Sequence, residues 1–201
     1  MKKLLFLFSL VFMLASCACQ HEKVEPTPQV DSTIVVDKVI KADLDYMTAK
    51  YGDKDFRWYE SLVLLEDFLD SDADMKVAEL VNVYQVAEGG DTHVYKIQHL
   101  PGSEAVVDSI KGFWIEDFPM NYDEIKLSYD DAFAAFNEVN FPRPHSKHIC
   151  LRKPIGPQVC NSQWVFGNIQ AQVWIDAVTG EAKNSNPAFP DGFKMPLGEW
   201  P

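Results

Sequence analysis

The spacing of hydrophobic positions changes once in the first half of the chain, near residue 52. Before this point, Leu44, Met47 and Tyr51 recur at intervals of three and four, which predicts a short helix over residues 43–50 with Asp43 as its N-cap. After it, apolar and polar residues alternate, a pattern typical of half-buried antiparallel strands. The strands predicted in this region cover residues 56–69, 77–87, 93–100 and 105–118.

Two glycine-containing segments predict turns between these strands. Gly89 and Gly90 can take a positive φ, so the segment from Glu88 to Asp91 predicts a tight hairpin. The Pro-Gly dipeptide at residues 101–102 predicts a second turn. The apolar run at residues 62–65 fits a helix as well as a strand, because so short a run has no period of its own.

The second half of the chain begins with a helical pattern over residues 128–139. Ser128 can cap this helix, and Asp131 stands three residues later in the position of a capping box. The predicted buried stripe consists of Ala132, Phe133, Phe136 and Val139. Strands are predicted at residues 149–152, 158–166 and 171–176, with a short one after Gly180. Helix followed by strands thus occurs twice, which predicts an α+β fold of two helix-plus-antiparallel-sheet units.

The first residues of the chain have the parts of a secretory signal. Two lysines precede an apolar run over residues 4–14, which is too short to span a bilayer. The run ends in Leu14, Ala15, Ser16 and Cys17, and this segment resembles the lipobox of bacterial lipoproteins. The resemblance implies cleavage before Cys17 and a diacylglycerol on its sulfur. The alternatives are ordinary secretion with Cys17 as a bystander, or modification of Cys19, which a poorer box precedes.

The segment after the predicted cleavage site is polar, contains two prolines and has no periodicity. It predicts a flexible tether that reaches on the order of 20 Å. The predicted organisation is therefore a signal peptide at residues 1–16, a lipidated cysteine and tether at 17–32, an N-terminal unit at 33–122 and a C-terminal unit at 123–201 that includes an aromatic-containing tail.

Part of the C-terminal unit resembles a known family. Residues 126–135 read KLSYDDAFAA and residues 173–181 read VWIDAVTGE. These segments resemble the opening and the closing hairpin of a PepSY domain, and residues 151–154 and 163–166 fall where its middle strands would lie. The resemblance covers residues 126–183 and implies one helix against an antiparallel sheet, in a cystatin-like architecture. It also implies peptide or peptidase binding and no catalytic residues.

The closing hairpin is also expected from its own residues. The Asp176 carboxylate can accept hydrogen bonds from backbone amides two or three residues further on, which forms an Asx-type turn. Gly180 can supply the left-handed residue that such a hairpin needs. Asp176 and Gly180 are therefore predicted to be structural and not catalytic.

Two downstream cysteines, Cys150 and Cys160, flank a Pro-Ile-Gly-Pro sequence that predicts a turn. An exported protein meets an oxidising compartment, so these residues predict a cross-strand disulfide, worth about 2–3 kcal/mol in the chain-entropy model. The alternative is a zinc site formed with His145 and His148, although the spacing is not that of a zinc finger. We predict the disulfide and no bound metal.

Charge and motifs exclude several classes of function. The formal net charge of −12 leaves no phosphate-seeking surface, so nucleic acid is excluded as a partner, and the lipid must hold the protein at an anionic membrane. Asp70, Asp72 and Asp74 alternate as in a calcium loop. However, Met75 and Val81 stand where an EF-hand needs glycine and a bidentate glutamate, so an EF-hand is excluded and a solvated acidic turn is predicted.

No hydrolase, zinc-protease, phosphate-binding or dinucleotide-binding motif occurs in the chain. The sequence therefore predicts a non-enzymatic, cofactor-free binding module, anchored by lipid in the cell envelope on the periplasmic or outer-membrane side. Its expected partner is an envelope protein or peptide, with peptidases as one candidate class. The alternatives are a structural scaffold without a ligand of its own, and a hydrolase whose site has no familiar motif.

Overall fold

The computed structural model describes residues 32–52, 55–71 and 75–192 and has two helices and one large antiparallel sheet. The helices are α1 (Val36–Tyr51) and α2 (Tyr129–Glu138). The strands are β1 (Phe56–Leu65), β2 (Val77–Glu88), β3 (Asp91–His99), β4 (Val106–Lys111), β5 (Asp117–Phe118), β6 (His148–Pro154), β7 (Gln163–Asn168), β8 (Ala171–Asp176) and β9 (Ala182–Lys183). The predicted α+β class is confirmed.

The strand order in the sheet is β4-β3-β2-β1-β6-β7-β8-β9, and β5 pairs separately with β6. The first four strands form one antiparallel meander and the last four form another. They join at the centre, where β1 pairs with β6 and Leu62 lies opposite Cys150. The segments predicted as 33–122 and 123–201 therefore contribute strands to one continuous sheet.

Helix α1 begins earlier than the sequence predicts. Its buried face consists of Val36, Ile40, Asp43 and Met47, spaced by three and four residues. The prediction that Asp43 is the N-cap was wrong, because Asp43 lies in the middle of the helix and is buried. Its charge interrupts the apolar stripe and so resembles a helix boundary in the sequence. The helix ends at Gly52, which has φ 73° and donates its N–H to Thr48.

Helix α2 begins where the sequence predicts it. The Ser128 hydroxyl accepts the N–H of Asp131 at 3.1 Å, and the Asp131 carboxylate accepts the N–H of Ser128 at 3.3 Å. This confirms the capping box. Ala132 and Phe136 are buried as predicted, and Phe133 and Val139 are partly buried against the core.

The turn predictions are confirmed and several strand ends are corrected. The β2–β3 hairpin pairs Glu88 with Asp91 around two glycines that have φ 60° and 89°. The run at residues 62–65 is strand. The single strand predicted over residues 105–118 is wrong, because it breaks at Gly112 into β4, an irregular segment and β5. Strand β1 ends at residue 65, short of the predicted 69, and β7 starts at residue 163 rather than 158.

Both helices lie on one face of the sheet, where they cover an apolar core. The opposite face, here called the back face, carries no helix among the described residues. Val83, Val165 and Trp174 point to it and are nevertheless buried. The segment that follows β4 crosses the back face. Its Trp114 N–H donates to the side chain of Gln85, which lies on β2, at 2.9 Å.

Within the described residues, neither helix is long and apolar enough to span a lipid bilayer. The predicted signal peptide, Cys17, Cys19 and the tether up to residue 31 lie outside these residues. The tail from residue 193 also lies outside them.

Candidate functional site

Strand β4 forms one edge of the sheet, and all six of its residues are exposed. Val106 and Ile110 lie on the back face and are 56% and 66% exposed. β-Branched residues in a strand are normally covered on at least one side, and natural edge strands are usually short or guarded. Strand β4 is therefore an open edge with apolar side chains.

The hydrogen-bond pattern shows which backbone groups of β4 face solvent. The N–H of Gly112, the residue just past β4, donates to the carbonyl of Thr92 on β3 at 2.9 Å. Because the pairing alternates along an antiparallel ladder, the even-numbered residues of β4 bond to β3. The backbone groups of Val107, Ser109 and Lys111 therefore point away from β3, and no further strand among the described residues pairs with them.

The apolar character continues beyond β4. Phe113 and Ile115 are 72% and 79% exposed, although they flank the half-buried Trp114. The indole N–H of Trp114 donates to Asp117 at 3.3 Å, and the Lys96 ammonium lies 6.0 Å from the centre of the indole ring. Trp114 thus contacts the body of the protein, while Phe113 and Ile115 face water. We call residues 106–115 the β4 segment.

The opposite edge of the sheet is different. Strand β9 has two residues, Ala182 and Lys183, and both are half-buried. Short edge strands offer few free backbone groups to another chain. In the part of the chain that the structure describes, the edge formed by β4 is the longer and more exposed of the two.

A buried group of charges lies on the back face near the junction of β1, β5 and β6. Nε of Arg152 donates to the Asp117 carboxylate at 2.6 Å, and a second guanidinium nitrogen lies 3.9 Å from the Glu60 carboxylate. Burial raises the pKa of Glu60 to about 7, with the charge of Asp117 acting in the same direction and Arg152 opposing it. Burial also raises the pKa of Asp117, against the effect of Arg152.

This charge cluster lies at the junction of the strands and apart from three grooves on the described surface. One groove, of about 280 Å³, lies beside α2, and two others, of about 380 and 210 Å³, share Trp58 and Tyr122 in their walls. None of the three is lined by Glu60, Asp117 or Arg152. Instead, Arg152 ties β6 to β5, and Glu60 lies beside the bulge at Tyr59 where β1 turns away from β6.

A second polar network lies under α1. The Asp43 carboxylate accepts from the Asn82 amide at 2.7 Å and lies 2.9 Å from Nε2 of His99. The Ser61 hydroxyl donates to the Asn82 side-chain oxygen, and the Trp58 indole N–H donates to the Ser61 hydroxyl at 3.2 Å. Asn82 and Asp43 stand between the serine and the histidine, so the network lacks the serine–histidine contact of a nucleophilic site.

The two downstream cysteines are both free thiols in the structure. Cys150 lies on β6 opposite Val165 of β7, whereas Cys160 precedes β7. Burial raises the pKa of both thiols. A bridge between them would require the loop before β7 to move toward the middle of β6, and the disulfide stays a prediction.

The histidines considered as zinc ligands have other contacts. Nδ1 of His145 lies 3.0 Å from the Asp70 carboxylate, and its ring stacks on Phe68 with the ring centroids 4.1 Å apart. His148 lies at the start of β6, and its Nδ1 is 3.4 Å from the Ser146 hydroxyl. Among the described residues, no three His, Cys, Asp or Glu side chains converge as a metal site requires. Asp72 and Asp74 lie outside these residues.

The structural role predicted for Asp176 is confirmed. Its carboxylate accepts the N–H groups of Val178 and Thr179, each at 2.9 Å, and also receives the side-chain amides of Asn161 and Gln163. These hydrogen bonds lower the pKa of Asp176, although burial opposes them. The next glycine, at residue 180, has φ 77° as the turn requires.

The sequence predicted β4 as strand but did not identify it as an edge, because edges depend on strand order. No local signal marked this edge, because several apolar strands follow residue 115 and any of them could have covered it. The charge cluster was also missed. Its signal was a glutamate, Glu60, within a strand that is mostly apolar and aromatic.

Searches with protein-family models, among curated proteins and among solved structures found no match to this chain.

Proposed function

We propose that this chain is an exported lipoprotein, anchored through Cys17, that binds a protein or peptide of the cell envelope and has no catalytic activity. The observation that supports it best is the open β4 edge with its exposed apolar residues. Large exposed apolar patches on soluble domains mark interaction sites more often than they arise by accident.

The binding mode that fits this edge is strand addition. An extended segment of the partner would pair with the outward backbone groups of Val107, Ser109 and Lys111, and main-chain hydrogen bonds would supply affinity. Side chains on alternate positions of that segment would meet Val106 and Ile110 on the back face. Phe113 and Ile115 extend the apolar surface next to it.

The architecture that we propose is PepSY-like and built from two units. Helix α1 with β1–β4 would form the first unit, and α2 with β6–β9 would form the second, joined between β1 and β6. The supporting observations are the equivalent order of helix and meander in each half and the Asp176 hairpin, which lies where the family has its closing turn. Such a module is expected to bind peptides or to restrain peptidases.

The proposed anchor determines where the partner must lie. The net charge of −12 disfavours direct adsorption to anionic lipid head groups, so attachment would depend on the acyl chains at Cys17. A tether over residues 17–32 would keep the body within about 20 Å of the bilayer. Replacement of Cys17 by alanine should abolish fatty-acid labelling, and labelling that persisted would refute the anchor.

The binding proposal is tested with a photoreactive side chain at Ile110, compared with one at Val159, which is 97% exposed but far along the chain from β4. Irradiation of the anchored protein in its own envelope should give a specific adduct from Ile110. The edge variant Ser109→Pro removes an outward N–H without touching the bonds from β4 to β3, so it should abolish that adduct.

The matched control is Ser109→Ala, which keeps the N–H and should keep the adduct. Adducts that form equally at Val159, or that survive Ser109→Pro, would contradict strand addition and favour the scaffold alternative. Peptidase restraint is then measured directly, by adding the purified protein to the captured partner and following its proteolytic rate.

A further inference from the structure

The outward amide at the centre of β4 already has an acceptor. The N–H of Ser109 donates to the side chain of the preceding residue, Asp108, at 2.8 Å. Because the backbone groups of the odd-numbered residues of β4 point away from β3, this N–H is one that an added strand would use. In the free protein, Asp108 therefore occupies a donor of the open edge.

The Asp108 carboxylate forms no ion pair with any residue that the structure describes. Lys96 lies opposite it on β3, but the Lys96 ammonium is placed over the Trp114 ring. None of the ion pairs formed among the described residues involves Asp108. The nearest ion pair on this strand is that of Lys111 with Asp91, at 2.8 Å. Asp108 is thus a negative charge at the centre of the exposed apolar edge.

The position of Asp108 also disfavours pairing between two copies of this chain. Directly opposed residues of an antiparallel pair lie on the same face, and like charges in that position are destabilising. The register that places Val106 of one copy against Ile110 of the other also places the two Asp108 side chains against each other. Registers shifted by two residues place Asp108 against Val106 or Ile110. The edge therefore suits a partner of a different sequence.

We propose, as an extension of the strand-addition function above, that Asp108 selects the partner. The selected segment is extended, carries Lys or Arg opposite Asp108, and carries apolar residues two positions to either side, against Val106 and Ile110. The cation draws the carboxylate away from the Ser109 amide and so frees that N–H for the carbonyl of the incoming strand. The negative charge of the whole protein attracts such a segment before contact.

The test uses two fluorescein-labelled peptides, Thr-Val-Thr-Lys-Thr-Val-Thr and the same peptide with Glu in place of Lys, and the full-length protein in neutral detergent. Anisotropy should show that the Lys peptide binds about ten-fold more tightly than the Glu peptide, since opposed charges and like charges act in opposite directions. In amide NMR spectra, the Lys peptide should shift the signals of Val107, Ser109 and Lys111 more than those of the residues between them.

Variants of Asp108 make the test specific. Asp108→Asn should remove most of the preference for the Lys peptide, and Asp108→Lys should reverse it. The matched controls are Glu138→Gln and Glu138→Lys, which make the same two changes in net charge at an exposed position of α2 and should keep the preference. A preference that persists in Asp108→Asn, or that falls equally in the matched Glu138 variant, would overturn the proposal.

The remaining outcomes separate this proposal from the function on which it depends. Equal binding of both peptides, lost in Ser109→Pro, would overturn selection by Asp108 and leave strand addition standing. Binding of neither peptide, with the Ile110 adduct still abolished by Ser109→Pro, would have the same meaning. Binding of neither peptide without such an adduct would overturn both. A dimer of the protein that Ser109→Pro dissociates would show that the edge is occupied by a second copy.

Discussion

The two helices of this protein lie on the same sheet but are attached to it by different chemistry. Helix α2 packs through aromatic rings: Phe136 stacks on Phe166 with ring centroids 4.5 Å apart, and Tyr129 meets the edge of Trp164 at 5.7 Å. Helix α1 packs through apolar residues at its ends and a polar network at its centre. There, Asp43 receives the Asn82 amide and contacts His99.

The two kinds of contact are expected to affect the stability of the protein and the orientation of its helices differently. Burial of aromatic rings is favourable in many relative positions, because the hydrophobic effect has no direction and ring pairs tolerate several geometries. A buried carboxylate is favourable only when its partners are in place, since an unpaired one costs several kcal/mol. We infer that the contacts of α2 mainly supply stability, while the contacts of Asp43 mainly fix how α1 sits on the first four strands.

The largest expected effect tests the aromatic side of this comparison. Phe136→Ala should lower the free energy of unfolding by about 3–5 kcal/mol, because the ring is fully buried and its loss leaves a cavity against Phe166. Urea denaturation followed by tryptophan fluorescence measures this. Phe133→Ala, at a half-buried position of the same helix, is the control and should cost clearly less. Equal costs would show that burial does not set the contribution of these rings.

The second prediction tests the polar side. Asp43→Ala should cost about 2–4 kcal/mol, because the Asn82 amide and the His99 ring lose their common acceptor inside the structure. The decisive variant is Asp43→Leu, which restores apolar volume but leaves Asn82 unpaired. It should remain destabilised, whereas Asp43→Asn, which keeps an acceptor, should lose less. Wild-type stability in Asp43→Leu would mean that α1 is attached by hydrophobic contacts, as α2 is.

Asp43 also shows why the sequence predicted one helix well and the other poorly. In α2 the cap and the apolar stripe are both local signals, and Ser128, Asp131 and Phe136 were identified from spacing alone. In α1 a carboxylate stands in the apolar stripe because its partners, Asn82 and His99, come from strands 39 and 56 residues away. Partners at such separations leave no local pattern, so the spacing of residues around Asp43 predicts a helix end there.

The same limit applies to the sheet and to the candidate site. Alternation of apolar residues located most strands, since side chains on a strand point to opposite faces in turn. It carries no information on which strands are neighbours, so neither the central β1–β6 pairing nor the open β4 edge was predicted. The prediction of one strand over residues 105–118 was wrong because apolar residues continue to alternate past Gly112. At this glycine the chain leaves the edge and crosses the back face.

The junction between the two helix-bearing halves supplies a pH-dependent prediction. Folding raises the pKa of Glu60 from 4.5 to about 7, mainly by burial, so the folded protein binds more protons than the unfolded chain between these values. Stability contributed by Glu60 is therefore present at acid pH and is lost as the pH rises through this window. The loss is on the order of 3–4 kcal/mol, since the shift is about 2.5 pKa units and one unit corresponds to about 1.4 kcal/mol.

Glu60→Gln removes this titration. The stability of the variant relative to the wild type should rise between pH 4.5 and about 7 and stay level above it, measured by urea denaturation at a series of pH values. Glu138→Gln, at an exposed site, should give a flat difference across the same range. A flat difference for Glu60→Gln would show that Arg152 compensates the buried carboxylate fully, so that the junction is held by a balanced ion pair.

Helix capping gives a smaller contrast between the two halves. Ser128→Ala removes the side chain that accepts the Asp131 amide, so it should lower the free energy of unfolding by about 1 kcal/mol. Ser128→Thr keeps the acceptor and is the control. A loss as large in Ser128→Thr as in Ser128→Ala would show that packing around this residue, and not the cap, is responsible.

The smallest effect is a gain, and it comes from the helix that lacks a cap. Val35 occupies the N-cap position of α1 with extended backbone angles and makes no capping bond, and 43% of its surface is exposed. Val35→Asp should therefore stabilise the protein by about 0.5–1 kcal/mol, because a carboxylate there can accept an amide of the first turn and interacts favourably with the helix dipole. The thermal midpoint should rise by a few degrees. Val35→Ala, which supplies no acceptor, should give no such rise. If both variants are stabilised equally, the cause is the removal of an exposed valine and not helix capping. The start of α1 would then be fixed by the buried contacts of Asp43 and not by a cap at its end.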